Sequence, residues 1–252
     1  MDLIEVVVLA VIQGLTEWLP ISSSGHLVLA QTLMGLEVPL GFYAALHLGT
    51  LLAVVVYFRA DLLRIISAFL RAETGSKEFR LGLYVISGTI PTAVLALVFR
   101  GFFESLFSSP LAVAVGLMIT GVLLISSRFG GRSREVDLPR SLLIGLFQGI
   151  AIAPGVSRSG ATISVALASG IQPKEAFRFS FILSIPAIIG ANLLEFGSTL
   201  TVSYQSLLGF AIAAATGYIA IRIVDRVILR EKLHLFSIYC FALALILFIT
   251  LL

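Results

Sequence analysis

The chain has 252 residues, 58% of them hydrophobic and only 12% charged, with a net charge of +3 and a single cysteine. Soluble domains carry about a quarter of their residues as Asp, Glu, Lys and Arg, so this composition excludes a soluble or disordered chain and points to the bilayer. The lone Cys240 excludes an intrachain disulfide and sits among apolar residues that favour an inert thiol, and no basic patch interleaved with aromatics offers a nucleic-acid surface.

In chain order, the opening MDLIE is acidic where a secretory leader is basic, and its apolar run meets Gln13 and Glu17 instead of a small-residue cleavage site. No cleaved signal is predicted. Residues 3–36 are interrupted near their middle by EWLPISSSGH, residues 17–26. Residues 38–58, 81–99 and 110–127 then read as complete crossings. A second interrupted region, residues 142–170, contains APGVSRSGAT at 153–162 and is followed by crossings at 176–196, 206–223 and 233–252. The arms of this second region hold 11 and 10 residues. At about 1.5 Å per residue each reaches about 16 Å, half of a hydrocarbon core of about 30 Å, which predicts a re-entrant hairpin and not a span. The expected fold is an all-α integral membrane protein with six transmembrane helices plus two re-entrant helical hairpins, in a single membrane domain over residues 1–252.

If both hairpins return to the side they entered, one face receives Arg59, Arg64, Arg71, Lys77 and Arg80; Arg128, Arg132, Arg134 and Arg140; Lys174 and Arg178; and Arg222, Arg226, Arg230 and Lys232. These are fifteen of the 17 basic residues. The positive-inside rule makes that face cytoplasmic and places both termini outside a multi-pass protein of the plasma (inner) membrane.

A gapless shift of 135 residues lays Gln13 and Gly14 on Gln148 and Gly149, Ser22 on Ser157, Ser24 on Ser159, Gly25 on Gly160 and Phe42 on Phe177. The matches gather at the two interruptions. Each copy contributes one hairpin and three crossings, and three is odd, so the second copy is inverted relative to the first. The expected repeats are about 1–134 and 135–252, an arrangement in which broken helices meet near the bilayer midplane.

At each interruption Pro or Gly ends one short helix and serines begin the next. Serine there caps free N–H groups, and those groups, with the positive end of the helix dipole, attract an anion. Arg158 adds a planar fork suited to phosphate, or else pairs with Glu17. Gln13 and Glu17, four residues apart on one helical face, offer oxygen ligands to a hard divalent cation such as Mg2+ or Ca2+. His26 follows Ser23 by three residues and Ser22 by four, a spacing that permits a serine nucleophile with a histidine base, or a histidine that protonates a leaving group. Ser23 is the nucleophile this spacing favours, with Ser22 and a metal-bound water as alternatives. His47, inside an apolar crossing, reads as structural.

QGLTEWLPISSSGH (residues 13–26) and PGVSRSGAT (residues 154–162) resemble the two signature motifs of the bacitracin-resistance family, the integral-membrane undecaprenyl-pyrophosphate phosphatases. The resemblance extends over essentially the whole chain. It implies removal of one phosphate from a polyprenyl diphosphate to regenerate the monophosphate carrier of cell-wall glycan synthesis, with a divalent cation and as a homodimer. Gln13 and Glu17 match the family's acidic or amide motif, Ser22, Ser23, Ser24 and His26 its first cluster with Gly25 between them, and Ser157, Arg158, Ser159, Gly160 and Thr162 its second. Gln13 stands where many members have Glu, one negative charge fewer, which leaves this residue as a metal ligand or a hydrogen-bond donor. The runner-up reading, which the inverted repeat favours, is a membrane transporter or flippase for a phosphorylated lipid or small anion.

Overall fold

The computed structural model describes residues 1–130, 133–196 and 203–251. Arg132 of the basic face and Leu252 at the end of the last expected crossing lie outside the described residues. Twelve α-helices carry the described chain: α1 Leu3–Trp18, α2 Ser23–Met34, α3 Leu40–Tyr57, α4 Arg59–Leu70, α5 Lys77–Val98, α6 Arg100–Phe107, α7 Pro110–Ser126, α8 Leu138–Ile150, α9 Arg158–Ala168, α10 Pro173–Phe196, α11 Tyr204–Leu229 and α12 Phe236–Leu251. Extended pairing among the described residues is confined to one bridge, between Arg134 and Ile171.

Four of these helices, α3, α5, α10 and α11, are long and apolar enough to cross a membrane, and α6 with α7 makes a fifth if this pair, bent by 105°, is counted as one. The other segments expected to cross form α7, with 17 residues, and α12, with 16. Two helices were not expected at all. Both α4 and α6 are short, 12 and 8 residues, and carry charge beside exposed Leu63, Ile66 and Leu70 in one and Phe102 and Phe107 in the other. At about 1.5 Å per residue neither is long enough to cross a hydrocarbon core of about 30 Å.

The two interrupted regions become helix pairs. The first breaks at residues 19–22 between α1 and α2, the second at 151–157 between α8 and α9. Packing partners are exchanged between the halves of the chain: α1 lies against α11, and α8 lies against α5. α3 and α10 touch each other, as do α7 and α12. The α5–α8 contact is close because Gly145 faces the Gly88 backbone, where a Cβ would come within 1.9 Å of the Gly88 carbonyl oxygen. Small residues that let backbones approach are what drives association where lipid removes most of the hydrophobic gain. Thr92 donates across the same seam to the Gly145 carbonyl at 2.8 Å.

The largest core cluster is mostly aliphatic and includes an aromatic group beside the first break. Trp18 stacks on Phe181 with centroids 4.9 Å apart, and Phe181 leans on Phe177 and Phe58. Trp18 is the last residue of α1, so this packing fixes the end of the helix that carries Glu17.

Candidate active site

Both breaks close with the same cap. Ser22 accepts the Gly25 N–H at 3.3 Å and shares a 3.2 Å hydrogen bond with Ser24; Ser157 accepts the Gly160 N–H at 3.1 Å and shares a 3.3 Å bond with Ser159. The amides of Ser23, Ser24, Arg158 and Ser159, in the first turns, have no acceptor within their own helices. The breaks also touch. Ser159 donates to the Leu19 carbonyl at 3.3 Å, and the Arg158 guanidinium pairs with the Glu17 carboxylate. The second loop is seated against α7, where Ser157 N–H donates to Thr120 Oγ1 at 2.9 Å. Gly155 has φ +86, and a Cβ there would come within 2.2 Å of the Val113 carbonyl oxygen, so no other residue suits this turn.

Glu17 is the centre of the arrangement. It is 5% exposed, and Oε2 accepts from Gln13 Nε2 at 3.0 Å and from Ser23 Oγ at 2.6 Å, while Oε1 faces Arg158. A buried carboxylate is tolerated only when paired and hydrogen-bonded, and here three donors meet it. The expected pairing of Ser23 with His26 is not what the structure forms. A helix that begins at Ser23 turns its hydroxyl back toward α1 and onto Glu17, whereas His26 reaches the Ser22 carbonyl at 2.7 Å through Nδ1 and Tyr239 Oη at 2.5 Å through Nε2. Spacing along one helix gave proximity but not direction. The alternative pairing of Arg158 with Glu17 is present, and Thr162 turns back on its own helix to the Arg158 carbonyl at 2.9 Å.

Among the described residues no three His, Cys, Asp or Glu side chains gather to hold a metal unaided. Gln13 is fully buried, and its Oε1 has no hydrogen-bond partner although it lies on the face of Glu17. An orphaned amide oxygen beside a carboxylate and a hydroxyl is a set of hard donors, and it fits a divalent cation that takes its remaining ligands from phosphate oxygens.

Two contributors escaped the reading of the sequence, and a third residue was read there only as a repeat match. Tyr239 stands 213 positions from His26, and nothing local marks it. Thr120 is one hydroxyl within an apolar helix. Gln148 did carry a signal, since the shift of 135 places it on Gln13, and it too is buried with Oε1 unpartnered while Nε2 faces Thr92 Oγ1 at 3.2 Å.

The family model described as bacitracin resistance protein BacA matches residues 6–246. The chain belongs to the BacA family. Proteins named undecaprenyl-diphosphatase resemble it along almost their whole length: one from Korarchaeum cryptofilum is 45% identical, covering 95% of this chain and 96% of its own. One from Rubrobacter xylanophilus is 42% identical over 97% and 96%, and one from Methanobrevibacter smithii 41% identical over 98% and 97%. Membership of this family agrees with a several-span, all-helical membrane protein whose polar residues gather at two breaks.

Proposed function

We propose that this BacA-family chain is a membrane hydrolase that converts undecaprenyl, or another polyprenyl, diphosphate to the monophosphate and inorganic phosphate, recycling the lipid carrier of cell-wall glycan synthesis. The observation that carries the reading is Ser23 Oγ at 2.6 Å from a buried carboxylate that also faces a guanidinium, at the meeting of two helix N-termini. The names of the relatives favour it over a transporter, which needs no hydroxyl aimed at a buried carboxylate.

The distal phosphoryl group sits between the first turns of α2 and α9, and Arg158 turns from Glu17 to two of its oxygens. Ser23 Oγ attacks phosphorus, its proton passes to Glu17 Oε2, and the bridging P–O bond breaks with its electron pair left on the prenyl monophosphate. Glu17 gives that proton to the departing prenyl monophosphate; water then attacks the phosphoserine, giving a proton to the freed carboxylate, and the P–Oγ bond breaks as Ser23 Oγ takes this proton and inorganic phosphate leaves. The Arg158 guanidinium and the free N–H groups of Ser23, Ser24, Arg158 and Ser159 face the charge that spreads over the equatorial oxygens. Ser24, Ser159 and Thr162 hold the two caps in shape. A divalent cation, Mg2+ or Ca2+, held by Gln13 and Glu17, neutralises diphosphate charge when bound.

The same reading takes six crossings and two re-entrant hairpins, with residues 1–134 and 135–252 as inverted repeats, both termini outside the plasma membrane, and a homodimer. The exchange of α1 and α8 between α11 and α5, together with the duplicated Ser caps, supports the inverted repeat. The decisive experiment incubates purified protein in detergent with a prenyl diphosphate and Mg2+ or Ca2+. Inorganic phosphate is expected from the parent and not from Ser23→Ala, which retains the fold; an inactive parent leaves a transporter as the reading.

A further inference from the structure

His26 has both ring nitrogens engaged, and the two partners together fix its proton. Nδ1 lies 2.7 Å from the Ser22 carbonyl oxygen, an atom that only accepts, so Nδ1 carries hydrogen. In a neutral imidazole Nε2 is then bare, and whatever meets it must donate. The group that meets it is the hydroxyl of Tyr239 on α12, at 2.5 Å, with the two rings stacked at a centroid distance of 5.6 Å and an interplanar angle of 9°. The phenol is held between the imidazole and the outer surface, 44% exposed.

The Ser22 carbonyl is not an ordinary acceptor. Ser22 has φ +68, a conformation L residues rarely adopt, and it immediately precedes Ser23. A hydrogen bond that pins this peptide also sets the direction in which Ser23 leaves the break toward Glu17. We propose that Tyr239 is a positioning residue of this site: its hydroxyl locks His26 in the Nδ1–H tautomer, and the resulting Nδ1–H···O=C bond holds Ser22 so that the Ser23 hydroxyl faces Glu17. The claim about rate rests on the phosphatase reading above, and the claim about the tautomer does not.

Tyr239→Phe keeps the stacked ring and removes only the hydroxyl. With 15N-labelled histidine, and the His26 signals assigned by their loss in His26→Asn, the parent should show Nδ1 protonated and Nε2 bare. Tyr239→Phe should show a mixture of tautomers, a kcat for phosphate release lowered by about fivefold to twentyfold, and a KM within about twofold of the parent. Because Tyr239 acts through His26, the double variant should be no slower than His26→Asn alone. An unchanged His26 spectrum, a parental kcat, or a Tyr239→Phe loss that adds in full to that of His26→Asn overturns the proposal. Should the parent release no phosphate, the phosphatase reading fails while the nitrogen shifts still decide whether Tyr239 sets the tautomer.

Discussion

At the first break Glu17, Ser23 and His26 surround the Ser22–Gly25 cap; at the second, the residues 135 positions on are Ile152, Arg158 and Ala161, around an equivalent cap from Ser157 to Gly160. The backbone frame is duplicated and the chemistry is not. One break supplies a carboxylate and a hydroxyl, the other a guanidinium, and Glu17 meets Arg158 only because the breaks are packed together. Each half alone is an anion-attracting helix end. Joined, they bring a hydroxyl, a carboxylate and a guanidinium into contact, so the unmatched positions make two similar caps into one asymmetric site.

The comparison breaks most completely if the carboxylate is dispensable. Glu17→Gln keeps the shape but removes the base proposed for Ser23 and the charged partner of Arg158. It should lower kcat for phosphate release by about a thousandfold or more, in the range of lost general-base and electrostatic terms combined. Activity within tenfold of the parent would mean that Ser23 is served by another base.

Arg158→Lys sharpens the other half. A guanidinium can hold two phosphoryl oxygens at once while an ammonium presents one compact charge. We expect kcat to fall about tenfold to a hundredfold, about 1.4 to 2.7 kcal/mol of barrier, with a smaller change in KM because the prenyl tail still anchors the substrate. A parental kcat would reduce Arg158 to a structural partner of Glu17.

How much of this was legible in the sequence follows from the range of the interactions. Helix ends and breaks are local, so hydropathy placed α3, α5, α7 and α10–α12 within a few residues, and Pro, Gly and Ser marked both interruptions. The shift of 135 located the matched caps because their serines and glycines perform the same backbone task. Direction was lost. Ser23 and His26 are three residues apart, yet the positive φ of Ser22 starts the helix so that one hydroxyl turns inward to Glu17 while the imidazole turns to α12. Tyr239 and Thr120 reach the breaks only through tertiary packing, which no periodicity reports. The short helices α4 and α6 were missed because hydropathy windows long enough to find crossings average over them.

The paired glutamines offer a subtler contrast, since both are buried with Oε1 unpartnered, but only Gln13 faces a carboxylate. Gln13→Leu should raise the half-saturating Mg2+ concentration about tenfold, the loss of one oxygen ligand worth about 1.4 kcal/mol. Gln148→Leu should leave it within about twofold. Equal metal curves for both variants would make the two amides packing groups and take Gln13 out of the proposed cation site.

The smallest effect separates the caps themselves. Ser22 and Ser157 make the same hydrogen bond, but Ser22 sits at φ +68 and Ser157 at φ −76. Replacing an N-cap serine with glycine forfeits only a few tenths of a kcal/mol of capping, and glycine adds about 0.5 to 1 kcal/mol of backbone entropy to be lost on folding. At Ser157 nothing offsets these terms, and Ser157→Gly should cost about 1 kcal/mol. At Ser22 the glycine also relieves a disfavoured φ worth about 1 kcal/mol, so Ser22→Gly should be neutral to within about 0.5 kcal/mol. In a chain of this length the difference corresponds to about 2 to 4 °C in Tm, measured side by side in one detergent at one scan rate. If Ser22→Gly melts as early as Ser157→Gly, the positive φ of Ser22 carries no strain that glycine relieves.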